Sequence, residues 1–300
     1  MDSTKRLERI SREELASVKH RLLKEQRTLN RKRFFRSRLA VLGALIVLIM
    51  AITAIFAPLL APADPLAQTI AHRLTPPGGD YLFGTDKLGR DLLSRIIYGA
   101  RVSMIVGVSV GLSSMVFGMI IGLYACYYKA LDNILMRICD GLSAIPSTLL
   151  AIALMAMLGQ SLFNVILALS IVYIPRMARI ARSSALVVKE QTYIEALRSQ
   201  GASSTRIIWR HIAPNILSAV VVQASYNFAN SIITEAALSF LGVGVPAPQP
   251  SWGNILSDGR EVINNAWWMI VYPGLATALA VMGTNIFGDG LRDILDPHTN

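Results

Sequence analysis

The sequence is poor in charged residues, cysteine and histidine. Only 16% of its 300 residues are charged, against about 25% in ordinary soluble domains. Two cysteines, Cys126 and Cys139, exclude a disulfide-bonded scaffold. The four histidines are too scattered for a metal cluster. The phosphate-binding pattern Gly-x-x-x-x-Gly-Lys-Ser/Thr is missing, so we expect no ATP site in this chain.

Apolar residues, by contrast, make up 53% of the chain. A helix needs about 20 of them to cross a bilayer, and five charge-poor runs are long enough: Leu39–Leu60, Val102–Tyr128, Gly141–Pro175, Ile212–Gly244 and Ala266–Gly288. The third run is too long for one ordinary span, and Gly159-Gln160-Ser161 offers a turn near its middle. The sequence therefore predicts an all-α membrane protein with six transmembrane helices.

The positive charges predict an orientation. Residues 1–38 carry 13 Lys and Arg against five acids. With the N-terminus in the cytoplasm and six alternating spans, 23 Lys and Arg fall on the cytoplasmic side and 6 outside, as the positive-inside rule requires. A basic arm can also bind nucleic acid. Because this arm abuts an apolar span, we expect it to face anionic lipid instead, with no nucleic-acid partner.

These boundaries divide the chain into five parts. We predict a cytoplasmic basic arm over residues 1–38, a first transmembrane helix over 39–60, an external segment over 61–101, a five-helix core over 102–290 and a cytoplasmic tail over 291–300. Both termini are then cytoplasmic, in a multi-pass protein of the cytoplasmic (inner) membrane.

Three features inside this frame allow alternative interpretations. Glycines 107, 111, 118 and 122 line one side of the second helix, where they allow close packing within the chain or against a partner. Glu235 is the acid well inside a predicted span, and it either faces a translocation path or hydrogen-bonds a neighbouring helix. Charges over residues 86–91 either pair locally or contact an external protein.

The stretch Tyr193–Asn215 is the most informative part of the sequence. It lies in the longest basic segment on the predicted cytoplasmic side. Its first part is helical in pattern, and Gly201 breaks it. Ser203 or Ser204 can cap a second short helix through Arg210. Pro214 suits the first turn of the next membrane helix. The pattern predicts a helix, a bend and an amphipathic helix that a soluble partner can grip.

This stretch resembles the EAA loop of ABC importer permeases, whose pattern is Glu-Ala-Ala, three residues, Gly, nine residues, then Ile-x-Leu-Pro. Glu195, Ala196, Gly201 and Pro214 match it in spacing, whereas Leu197, His211 and Ala213 depart from it. The resemblance implies that the loop, at about residues 190–214, couples the chain to an ATPase. The residues it assigns to that role are Glu195, Ala196, Gly201, Ala202, Ser203, Arg206, Arg210, His211 and Pro214.

Further segments resemble the dipeptide, oligopeptide and nickel permease family, in particular its DppC/OppC-like subunit. They are Phe83–Arg95, Met136–Asp140 with Pro146, Glu235–Gly244, Trp252-Gly253 and Phe287–Pro297. Together with the loop they imply a type I ABC importer permease fold.

The same resemblance implies the partners: a homologous second permease of the DppB/OppB kind, two ATPase subunits that bind ATP and Mg²⁺, and an external solute-binding protein. It implies no cofactor, metal or catalytic residue in this chain.

Two other classes of function compete with this interpretation. An intramembrane enzyme would need catalytic residues, and no local motif offers a Ser, His and Asp set. A secondary transporter working without ATPases often shows internal repeats and several buried ionisable groups, and neither is evident. The cargo stays open among dipeptides, oligopeptides, glutathione, D-amino-acid dipeptides and nickel chelates.

Overall fold

The computed structural model describes residues 37–295, which are mostly helical. The predicted basic arm therefore lies outside the described residues, except for its last two positions, and so does the tail beyond residue 295. The main helices are α1 (Arg38–Ile55), α2 (Leu92–Tyr127), α3 (Lys129–Ser143), α4 (Ser147–Leu158), α5 (Leu162–Lys189), α6 (Thr192–Ser199), α7 (Ala213–Phe240), α8 (Trp252–Arg260) and α9 (Trp268–Leu295).

Five of the described helical segments are long and apolar enough to cross a membrane: α1, α2, α5, α9 and the segment Ser204–Phe240 that contains α7. The pair α3 and α4 would make a sixth span, bent by 93°. The predicted turn at Gly159–Ser161 is confirmed. Gly159 ends α4 with a φ of +80°, and the Ser161 hydroxyl accepts a hydrogen bond from the Asn164 amide as α5 begins.

The third predicted span differs most from expectation. Helix α4 has only 12 residues, or about 18 Å at 1.5 Å per residue, too short for a hydrocarbon core of about 30 Å. The residues before it, predicted as a cytoplasmic loop, form α3, which carries polar and apolar residues on opposite faces. Hydropathy misses this helix because its charges interrupt the apolar run.

Two other boundaries also move. Helix α2 begins at Leu92, ten residues before the predicted start, because the Asp91 carboxylate caps it by accepting the Ser94 amide at 2.7 Å. Helix α5 continues past Pro175 to Lys189. The prediction of a loop from residue 176 onward was therefore wrong over its first fourteen positions. Membrane helices tolerate proline where neighbouring groups satisfy the freed carbonyl, and Pro175 is buried.

Helix α2 lies at the centre, and its glycine side packs within the chain. A Cβ added at Gly107 would lie 2.8 Å from the Phe228 ring on α7. At Gly118 it would lie 2.5 Å from Cγ of Met177 on α5, and at Gly122 2.6 Å from the Ala178 carbonyl oxygen. The glycines therefore let α2 approach α5 and α7 closely, which decides between the two interpretations of this face.

An ion-pair cluster joins the segment before α2 to helix α8. The buried Asp86 carboxylate accepts Arg90 Nε at 2.5 Å and also pairs with Arg95. Lys87 reaches Asp258 at 3.0 Å. Burial alone would raise the pKa of Asp86, but the charge of Arg95, the Arg90 amide and the charge of Arg90 together lower that pKa below its usual value. The charges over residues 86–91 thus support the structure between these two segments.

Candidate functional site

The site that the sequence singled out is the connection between α5 and α7. Helix α5 ends at Lys189, and α6 follows over Thr192–Ser199. After Gly201 the chain turns helical again at Ser204 and stays helical to Phe240. The predicted separate helix ending at Arg210 is therefore wrong. The second part of the loop is the first part of the long segment that contains α7.

The bend at Gly201 is a helix C-cap of the Schellman type. The Gly201 amide donates to the Arg198 carbonyl at 2.9 Å, and the Ala202 amide donates to the Leu197 carbonyl at 3.0 Å. This arrangement needs a left-handed residue, and Gly201 has a φ of +77°. A Cβ there would meet no atom within 4 Å. The demand for glycine thus comes from the backbone angle and not from crowding.

The turn before α7 is wider than an α-helix. Residues Ile207–Ile212 form a π-helical turn, and the Ala213 amide donates five residues back to the Ile208 carbonyl. Pro214 follows directly, and a proline ring clashes with the carbonyl four residues earlier in a regular helix. The wider turn makes room for that ring. Turns of this type are frequent at functional sites.

Isoleucines fix the underside of the loop to the helix bundle. Ile194, Ile207, Ile208 and Ile212 are at most 1% exposed. They pack in one apolar cluster with residues of α2 and α5, including Leu123, Cys126, Met177, Ala181 and Ala185. The loop is therefore part of the core of the protein at this end of the bundle.

The opposite side of the loop is open and basic. Of the residues assigned to ATPase coupling, the exposed ones are Glu195, Ala196, Gly201, Ser203, Arg206, Arg210 and Pro214. Ala202 and His211 are half-buried, and Nε2 of His211 has no hydrogen-bond partner among the described residues.

Two aromatic residues on this surface were missed by sequence reasoning. Tyr193 is 44% exposed and Trp209 is 41% exposed. Large exposed aromatic side chains beside basic ones are typical of protein interfaces. The available signal was helical periodicity: the isoleucines at 194, 207 and 208 mark the apolar face of the helices, and Tyr193 and Trp209 lie at its edge.

Polar contacts tie the loop to the end of α2. Lys189 Nζ donates to the Cys126 carbonyl at 2.7 Å. The Arg198 guanidinium lies 5.2 Å from the centre of the Tyr127 ring, within cation–π range. The first contact joins the end of α5 to α2, and the second joins helix α6 of the loop to α2.

Glu235 lies in the interior of the chain. It is fully buried, and its Oε1 accepts the Ser239 hydroxyl at 2.8 Å. Its Oε2 and the Ser103 hydroxyl are buried without a hydrogen-bond partner among the described residues, and no salt bridge from those residues reaches the carboxyl group. The bond to Ser239 stays within α7, so both interpretations of Glu235, in a translocation path or bonded to a neighbouring helix, stay predictions.

The outer surface of the loop is thus exposed and carries basic and aromatic side chains, and known proteins match the chain around it. The family model described as "Binding-protein-dependent transport system inner membrane component" matches residues 114–300. The model for the N-terminal transmembrane domain of oligopeptide transport permease C matches residues 27–77. The chain belongs to the binding-protein-dependent transport permease family. It is therefore a multi-pass membrane subunit of a transport system and not an enzyme.

Several relatives resemble this permease over almost their full length. A Brucella suis permease protein is 46% identical over 90% of this chain and 91% of its own. The dipeptide transport system permease protein DppC of Alkalihalophilus pseudofirmus is 43% identical over 89% of this chain and 88% of its own. The glutathione transport system permease protein GsiD of Pectobacterium atrosepticum is 43% identical over 89% of each.

Proposed function

We propose that this permease is the DppC/OppC-like subunit of an ATP-driven importer that carries di- or oligopeptides across the cytoplasmic membrane. A homologous second permease would form the other wall of the path, and an external binding protein would deliver the cargo. The peptide cargo is supported by relatives named for dipeptide and glutathione transport at equal identity. The subunit's place among these partners rests on its family.

The observation that carries the coupling role is the two-sided loop. Its inner side is packed into the core by four isoleucines, and its outer side exposes Tyr193, Trp209, Arg206 and Arg210. An ATPase subunit that holds the outer side would move α5 and α7 together with the loop. ATP binding and hydrolysis would then shift the helices between inward-facing and outward-facing arrangements as a rigid-body change.

Reconstitution tests the function. The full importer, with both permeases, the ATPases and the binding protein, should take up a labelled dipeptide into vesicles only when ATP is supplied. Leaving out this permease should abolish the uptake. Uptake by this chain without ATPase subunits would instead show a secondary transporter, and failure of every peptide tested would reject the peptide cargo.

Orientation is part of the proposal, with the coupling loop in the cytoplasm and both termini on that side. The two native cysteines are buried, so introduced thiols can be labelled against a low background. An impermeant reagent added outside sealed cells should reach Asp80→Cys and Gln249→Cys, both exposed sites. It should miss Ser203→Cys. Labelling of Ser203→Cys from outside would overturn the orientation.

A further inference from the structure

The break between α3 and α4 exposes irregular backbone. Ala144, Ile145 and Pro146 separate the two helices, and all three are exposed within this chain. The two helices together meet the criteria for a span broken by 93°. In a membrane, irregular backbone is tolerated only where protein covers it or where it lines a water-filled cavity. As one broken span, the two helices would place this side of the chain against the partner subunit or the aqueous path rather than against lipid.

A charged cleft opens beside the break, between α3 and α5. Its volume is about 370 Å³. Three arginines and two aspartates dominate its lining: Arg137, Arg179, Arg182, Asp132 and Asp140. It lies toward the end of α5 that leads to the coupling loop. Charged side chains in membrane segments face bundle interiors or water-filled cavities rather than hydrocarbon, which agrees with the position of the break.

Some of these charges hold the cleft together. Arg182 donates two hydrogen bonds to the two oxygens of Asp132, at 2.5 Å and 2.6 Å. Arg179 donates to the Ser143 hydroxyl at the last residue of α3. These contacts fasten α3 to α5 across the cleft. The Asp132 carboxylate and two of the Arg182 nitrogen atoms are therefore already bonded to each other within the chain.

The other charges have no such partner. Arg137 and Asp140 are both exposed, and the side chain of neither makes a hydrogen bond or salt bridge with another residue of the range 37–295. They stand three positions apart on α3, so their Cβ atoms are about 5–6 Å apart. The cleft thus presents an exposed cation and an exposed anion side by side, and neither forms a salt bridge with the described residues. A ligand with both charges matches this arrangement better than a simple anion does.

We propose that this cleft binds the free ends of a peptide cargo on its way through the permease. The peptide carboxylate would pair with Arg137, supported by Arg179, and the terminal ammonium would pair with Asp140. An extended dipeptide spans about 7 Å, so a single molecule can reach both charges. This assignment rests on the peptide function proposed above and adds the chain's own contribution to recognition.

Thiol protection in the complete importer tests the site. Asn133 lines the cleft and is exposed, so the thiol of N133C should react with a charged reagent applied to the face that bears the coupling loop. Ala-Ala should slow this reaction, whereas N-acetyl-Ala-Ala-amide, which lacks both charges, should not. In Arg137→Ala or Asp140→Ala the half-protecting concentration should rise roughly tenfold, the loss expected for one charged partner.

A matched variant and two lipid conditions complete the experiment. Lys129→Ala removes an exposed charge from the same helix but outside the cleft, so protection should be unchanged. Equal protection by both peptides, or full protection in the Arg137→Ala and Asp140→Ala variants, would overturn the proposal. A lipid effect without peptide would also overturn it. If N133C is labelled slowly in vesicles that contain phosphatidylglycerol and fast in pure phosphatidylcholine, a lipid phosphate occupies the cleft.

Uptake by the unmodified importer distinguishes failure of the cleft assignment from failure of the proposed peptide function. If it takes up Ala-Ala but N133C shows no protection, the cleft is not the site and the peptide function stands. If it takes up no peptide at all, the proposed function fails, and the assignment of the cleft fails with it.

Discussion

The bend at Gly201 offers the sharpest test of the coupling role, because its chemistry can be changed without changing its packing. Gly201 has a φ of +77°, and a Cβ at this position would meet nothing within 4 Å. Any effect of a side chain must therefore come from the backbone angle, or from a partner that approaches the exposed loop.

The structure sets the size of the effect. The left-handed conformation costs a residue with a Cβ roughly 1–2 kcal/mol. Asn adopts this conformation more readily than most residues, whereas a β-branched residue there is an outlier. A shift of one or two kcal/mol changes a population by roughly 5–30-fold. We therefore expect the loop's native bend to weaken in the order Asn, Ala, Val, with Gly201→Val the most severe.

Gly242 provides a matched control. It ends α7 in the same type of cap: its amide donates to Ser239 at 3.0 Å, and the Val243 amide donates to Leu238 at 2.9 Å. Its φ is +78°, and its Cβ would also meet nothing within 4 Å. Gly242→Val should therefore cost a similar free energy of folding at a position outside the coupling loop.

The assay is substrate-stimulated ATP hydrolysis by the reconstituted importer. Gly201→Val should reach the membrane, lose most of the stimulation and lose uptake, while the binding protein keeps its affinity for substrate. Gly242→Val should keep the stimulation per assembled complex. Normal stimulation and normal uptake in Gly201→Val would refute the coupling role, and equal losses in the two variants would show that only stability had changed.

Substitutions at three further positions, each with a comparison variant, test the packing of the bundle. Asp86→Ala removes the carboxylate that Arg90 and Arg95 contact most closely and leaves them the contacts to Asp258 at 3.4 and 3.3 Å, so thermal unfolding should show a loss of about 3 kcal/mol, against within about 0.5 kcal/mol for the exposed Asp80→Ala. The pKa of Asp86 is lowered below 3.8, so the carboxylate's contribution to the free energy of unfolding is complete above that pH and is lost only as the pH falls further. Equal melting temperatures for Asp86→Ala and the unmodified protein at pH 5 would contradict this. Gly118→Leu should separate α2 from α5 and reduce assembly seen by gel filtration, whereas Gly274→Leu, where a Cβ meets nothing within 4 Å, should not. Glu235→Gln should preserve uptake because an amide oxygen can still accept the Ser239 hydroxyl, whereas Glu235→Ala should reduce it; loss of uptake in a well-assembled Glu235→Gln would show that the charge is required.

Sequence reasoning located the features that depend on composition. Apolar runs marked the long helices, the glycines at 107–122 marked a close-packing face, and Gly201 marked the bend of the loop. Each of these depends on residues near one another in the chain, and their physical demands are local: burial in lipid, absence of a Cβ, or a positive φ.

It missed features that depend on distant partners. The cluster around Asp86 includes Asp258, which lies 163 positions from Arg95 in the chain and reaches it at 3.3 Å. Helix α3 was hidden because its charges interrupt the apolar run, and one of them, Asp132, is held by Arg182 of α5. In both cases the sequence alone shows charged residues that are unfavourable in a membrane protein. Only the folded structure shows the opposite charge that compensates for them.

The continuity of α5 past Pro175 and of the segment Ser204–Phe240 changes how the coupling loop can work. A loop joined to the bundle by flexible linkers could be displaced without moving a helix. Here α5 reaches the loop directly at Lys189, and the π-helical turn passes into α7 without interruption. Ile194 packs α6 against the same core, and Ile207 and Ile208 pack the π-helical turn against it. Because packed interiors are stiff, we expect a partner's force on the loop to move α5 and α7 as bodies, with the Gly118 and Gly122 contacts transmitting that movement to α2.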